Sequence, residues 1–120
     1  MQKKVKFLAD LKENEKAVVE VFIPQIYGTM EYYCKNCKKF SGKICDCGKF
    51  PEPIFRISGI LTDGTKTLQF RTLSIEASER LSGVKKDFAK DIDIKAIMKK
   101  PHVIFGYLNK GKFLIEKVLE

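Results

Sequence analysis

Apolar and polar residues alternate in short runs along most of this chain, and the period changes once, from Ser74 onward. Residues 5–24, "VKFLADLKENEKAVVEVFIP", open with a brief apolar stretch and a polar turn at Glu13 to Glu15. The β-branched run "KAVVEVFI" predicts a strand closed by Pro24. "QIYGTMEYY" continues it beyond a bend, with Gly28 as the expected bulge. Two further strands, 54–62 "IFRISGILT" and 67–73 "TLQFRTL", flank an Asp63-Gly64 turn, where glycine tolerates a positive φ. In the first of these, Phe55, Ile57, Gly59 and Leu61 share one face, leaving Ile54, Arg56, Ser58 and Ile60 on the other. In the second, Leu68 and Phe70 oppose Gln69 and Arg71.

"SIEASERLSG" then predicts a helix. Ser74 is its N-cap and Gly83 its C-cap, with Ile75, Ala77 and Leu81 on one face. "VKKDFAKDIDIKAIMKKP" holds one or two short helices, capped by Asp91 or Asp93 and stopped by Pro101. "HVIFGYL" and "KFLIEKVL" form a last hairpin around Asn109-Lys110-Gly111. Phe70, Phe105 and Phe113 are expected in the core, and His102 at a strand edge.

Five strands, with helices between the third and fourth, predict a mainly β protein: a five-stranded OB-fold barrel. The 120 residues form one domain, 1–120, and an insert at about 32–50 lies between the first and second strands.

That insert, "YYCKNCKKFSGKICDCGKF", contains all four cysteines: Cys34, Cys37, Cys45 and Cys47. Two close pairs across a short loop can give four thiolates to one tetrahedral ion, and zinc suits that donor set. A segment this short has almost no core, so a structural Zn2+ would supply its folding free energy. A disulfide pair is the competing reading, although the chain starts with no secretory h-region and cytosolic thiols stay reduced. A redox Cys-x-x-Cys would open a helix in a βαβ unit, a context missing here. The one-residue gap in Cys45-x-Cys47 is the unusual part of the spacing.

The net charge of +8 favours polyanionic partners through counterion release, although a lysine-rich surface also serves solubility. No apolar run is long enough for a membrane span, so the expectation is a cytoplasmic protein with no membrane partner. "GYLNKGK" matches the start of a P-loop, but Phe113 stands where a magnesium-binding hydroxyl belongs. A single histidine and scattered carboxylates supply no triad, and four thiolates would leave zinc no open position. Neither catalysis nor a small-molecule substrate is expected. The chemistry lies instead on the outer strand face, where Arg56, Ser58, Gln69 and Arg71 should stand together. Such a face suits phosphates and bases, unless it is merely solvated and charge-paired.

Taken together, these motifs resemble the zinc-containing OB domain of replication protein A, above all its archaeal large-subunit relatives. The resemblance rests on "LADLKENEKAVVEVFI", "YYCKNCKKF", "CDCGKFPEPIFRISGILTDGT" and "FRTLSIEASERLSG", and is most specific from Tyr32 to Gly83. The second cysteine pair is one residue shorter than that family's, and "RTLSIEA" lacks the aromatic often found before the helix. The resemblance implies largely sequence-independent single-stranded DNA binding in DNA replication or repair, with other replication subunits or domains as further partners. Lys35, Lys38, Lys39 and Lys43 would guide phosphates from one side of the groove, and Lys110 and Lys112 from the other. Arg56 and Arg71 would form its floor, with Tyr107 as a stacking platform. An RNA-binding domain or a protein-interaction module are the alternatives.

Overall fold

The computed structural model describes residues 5–42 and 44–119. The elements run β1 (Lys16–Cys34), β2 (Lys39–Ser41), β3 (Glu52–Thr62), β4 (Thr67–Thr72), α1 (Ile75–Ser82), α2 (Ile94–Met98), β5 (His102–Asn109) and β6 (Lys112–Val118). Short 3₁₀ segments lie at Leu8–Asp10 and Lys86–Asp91.

One mainly β sheet curves into a ring. Antiparallel pairs join β1 to β3, β3 to β4, and β5 to β6, while β4 and β6 run parallel. An antiparallel β1–β5 pair closes the circuit. The sheet has six strands rather than the expected five, because β2 pairs with the far end of β1 outside the ring.

β1 serves two neighbours. Lys16 to Val21 pair with β5, and the strand from Phe22 onward pairs with β3. Pro24 therefore does not end the strand as its sequence suggests; it sits in a register shift between Phe22 and Gln25, where no ladder N–H is required of it. Two more shifts flank Gly28, the residue expected to bulge. The bent strand comes so close to β3 that a Cβ on Gly59 would stand 2.1 Å from the Gln25 carbonyl oxygen.

The interior is apolar. Val19, Ile23, Ile57, Leu61, Ile104, Phe113 and Ile115 are fully buried. β3 alternates as its sequence predicts, with Phe55, Ile57, Gly59 and Leu61 inward. β5 takes the opposite phase from that expected for Phe105. His102, Ile104, Gly106 and Leu108 face inward, and Phe105 stands outside. Both phases of "HVIFGYL" carry apolar residues, so alternation could not choose between them. Packing does: a Cβ at Gly106 would meet the Leu114 carbonyl oxygen at 2.0 Å. His102 is likewise buried rather than at an edge, its Nε2 2.8 Å from the Ile97 carbonyl at the end of α2.

α1 is capped as predicted. Ser74 Oγ accepts from the Ala77 N–H at 3.0 Å, and Gly83, at φ 75°, donates to the Glu79 carbonyl at 2.8 Å. Its buried Ser78 lies 2.7 Å from Thr72 Oγ1 and donates to the Phe55 carbonyl at 2.9 Å, while the Ile57 N–H donates to Thr72. This side-chain network ties α1 to β3 and β4 beyond the end of their ladder at Ser58–Arg71. Of the two candidate caps for α2, Asp93 takes the role, accepting from the Ala96 N–H.

Candidate metal centre and the groove beside it

Cys34 ends β1, and a tight turn leads through Cys37 into β2, with Lys38 at φ 53°. The Cys37 N–H points at Cys34 Sγ, 3.4 Å away. A second turn holds Cys45 and Cys47, with the Gly48 N–H donating to the Cys45 carbonyl at 2.9 Å. The four sulfurs meet despite the short second spacing, all within 4.8 Å of one another. Cys34 and Cys47 Sγ lie 3.6 Å apart, and Cys37 and Cys45 Sγ 3.7 Å apart.

None of the four is in a disulfide. A tetrahedral ion bound at about 2.3 Å separates its sulfurs by about 3.8 Å, so the cluster fits such an ion. The thiols perturb one another through the hydrogen bonds between their sulfurs. Hydrogen bonding to the Cys47 and then the Cys45 sulfur pushes Cys37 up to about 12, while the Lys49 backbone pulls Cys47 down to about 6. Proton loss from one member therefore hinders loss from its neighbour, an obstacle that a central cation removes.

Of the insert's basic residues, Lys35 reaches Glu52 at 3.1 Å, and Lys38 and Lys39 are exposed. Lys43 lies outside the described residues.

β2 folds the insert back over the ring. Phe40 pairs with Tyr33 across the β1–β2 ladder, their rings edge to face at 5.3 Å. The Phe40 ring also meets both expected floor residues, with Arg71 Cζ 4.9 Å and Arg56 Cζ 5.8 Å from its centroid. Arg71 donates through Nε and a terminal nitrogen to the two oxygens of Glu31, at 2.8 and 2.9 Å. Arg56 is half-buried, and its Nε has no partner among the described residues. Burial first, and the Arg71 charge second, lower the Arg56 pKa from its ordinary value.

Beside this pair runs a groove of about 330 Å³, lined by Tyr27, Glu31, Ser58, Gln69, Arg71 and Lys112, with Gly59 and Phe70 completing its wall. The register explains the grouping. Ser58 pairs with Arg71, and Gln69 with both Ile60 and Lys112, so outward side chains of β3, β4 and β6 form adjoining rows. Lys110 is at the hairpin tip, its N–H donating to Glu13 at 2.6 Å. Tyr107 is not brought to the groove. Its β6 partner Leu114 stands between it and Arg71, and Lys16 Nζ lies 5.9 Å from its ring.

Sequence reasoning missed Tyr27, which is 55% exposed, and the two contacts that cover Arg71. Nothing local signals Glu31 as a partner, since it is 40 residues from Arg71. Across the described residues, no helix is long and apolar enough to cross a membrane. No model of a known protein family matches the chain, and no curated protein matches it.

Proposed function

We propose that this chain is a single-stranded nucleic-acid-binding module of the OB-fold type, related to the zinc-containing domain of replication protein A. Its ligand is single-stranded DNA, taken with little sequence preference in replication or repair. The observation that carries this reading is the groove, where Ser58, Gln69, Arg71 and Lys112 offer donors beside an exposed Tyr27. It lies between the cysteine insert and the β5–β6 hairpin, the two loops that flank an OB ligand face. The ring order β1-β3-β4-β6-β5, with its parallel β4–β6 pair, supports the barrel assignment. Zinc is the ion best suited to four thiolates, with a structural role: it holds the insert at the groove's rim.

Fluorescence anisotropy with labelled oligo-dT, the matching RNA and duplex DNA, across a salt series, tests the proposal. Oligo-dT should bind most tightly, weaken as salt rises, and lose affinity on Arg56→Ala or Arg71→Ala. Preference for RNA would reassign the ligand. No binding to any nucleic acid at low salt would favour a protein-interaction module instead. The exposure of Ile44 and Phe50 on the insert, 67% and 86%, is what supports that second reading. Zinc analysis of protein purified without added metal should give about one ion per chain. A folded protein with no metal and four free thiols would contradict the assignment.

A further inference from the structure

Arg71 is engaged twice by the chain itself. It makes a bidentate pair with the Glu31 carboxylate at 2.8 and 2.9 Å, and its guanidinium lies 4.9 Å from the centre of the Phe40 ring. A forked pair to an anion and contact with an aromatic face are also how arginine meets a phosphate and a base. Both partners come from the part of the fold that bears the cysteines. Glu31 is three residues before Cys34 on β1, and Phe40 stands on β2 between the two cysteine pairs. Arg56, 5.8 Å from the same ring, has a buried Nε without an acceptor among the described residues. The Glu31 carboxylate thus goes to Arg71, and Arg56 Nε is left without one.

We propose that Glu31 and Phe40 are built-in stand-ins for a phosphate and a base, so that the groove is partly self-occupied and an incoming strand must displace them. The strand takes Arg71 by replacing Glu31 on it, beside an Arg56 whose buried Nε has no acceptor among the described residues. The inference rests on the nucleic-acid reading above. It adds that Glu31, which lines the groove, and Phe40, which covers Arg71, oppose binding, whereas a plain reading of the contacts makes them supports that orient Arg71.

The two readings predict opposite signs. Labelled dT 15-mer is titrated into wild type, Glu31→Gln, Phe40→Leu and Phe40→Ala, each checked for metal content and thermal unfolding. Phe40→Leu retains apolar packing if Phe40→Ala fails to fold. Glu31→Gln should bind roughly three- to tenfold more tightly, the range for releasing a half-buried ion pair. Its log–log salt slope should match that of wild type, because Arg71 meets a phosphate in both complexes once Glu31 is displaced. The Phe40 variants should also tighten binding, with little change in slope. Unchanged or weaker binding would overturn the proposal and make Glu31 an orienting residue.

NMR of the arginine Nε–Hε groups in the free protein separates this inference from the function it rests on. Arg71 Hε should exchange slowly in wild type and rapidly in Glu31→Gln. Rapid exchange in both overturns self-occupancy whatever the protein binds. Slow exchange in wild type, with no variant binding any oligonucleotide, overturns the nucleic-acid reading and the displacement scheme with it.

Discussion

In the ring, Phe70 and Phe113 are 2% and 0% exposed; in the insert, Phe40, Ile44 and Phe50 are 42%, 67% and 86% exposed. The same kinds of side chain do different work in the two regions. Ring aromatics and aliphatics leave water together, and burial holds the fold. The insert buries almost none of its apolar surface, apart from the sulfurs of Cys34 and Cys45 and the contacts of Tyr33 and Phe40. Four sulfurs within 4.8 Å are compatible with a metal site, and a bound metal would provide what a core otherwise supplies. With the proposed metal bound, one chain would combine a region that folds by burial with one that folds by ligation, and the groove runs along their junction.

The largest expected effect falls on the insert alone. Chelating the metal, or replacing Cys34 with Ser, should remove on the order of 10 kcal/mol of local folding free energy. Amide exchange should then lose protection across 34–47 while Ile57, Phe70 and Phe113 keep theirs. Loss of protection in both regions at once would break the division. Phe113→Ala should do the converse, costing about 3–5 kcal/mol in urea unfolding while the folded protein still carries its metal.

A substitution at the junction should touch both regions. Gly59→Ala forces a Cβ against the Gln25 backbone, 2.1 Å away, and should cost about 2 kcal/mol by pushing the bent part of β1 off β3. Ser74→Ala should cost only about 1 kcal/mol, with metal affinity unchanged, since it removes one cap from α1 on the ring side.

The mildest expected effect is on pH dependence. Burial holds the His102 pKa below its ordinary value, outweighing the Ile97 carbonyl that favours the protonated form. The unfolded chain then binds the proton more readily, so ring stability should fall as pH drops below about 6.5 and level off under the folded pKa. His102→Gln should flatten that slope in urea midpoints measured from pH 7.5 to 5.5. An equal slope in both proteins would place the titration elsewhere.

Much of the ring is legible in the sequence because each local signal agrees with its neighbours. The alternation in "IFRISGIL", the Ser74 and Gly83 caps, and the Asn109-Lys110-Gly111 turn each dictate local geometry, and Lys110 and Gly111 do adopt φ of 51° and 80°. The cysteine cluster was legible from spacing, since four thiols within 14 residues are held close by the chain itself. What was not legible depends on distant parts meeting. Pro24 reads as a terminator until β3 and β5 are seen to claim opposite ends of β1. Tyr107 reads as a groove residue until β6 is seen to lie between it and β4. Arg71 looks free from "FRTL" alone; its partners come from a strand and a hairpin more than 30 residues earlier.

The proposed function requires a single strand to lie in the groove at the junction. Backbone and side-chain NMR of the metal-loaded protein, titrated with oligo-dT, tests it most directly. Shifts should concentrate at Tyr27, Ser58, Gln69, Arg71 and Lys112 and extend into Lys38 to Phe40. Shifts confined to the α1–α2 side of the ring, or none at saturating oligonucleotide in low salt, would contradict it.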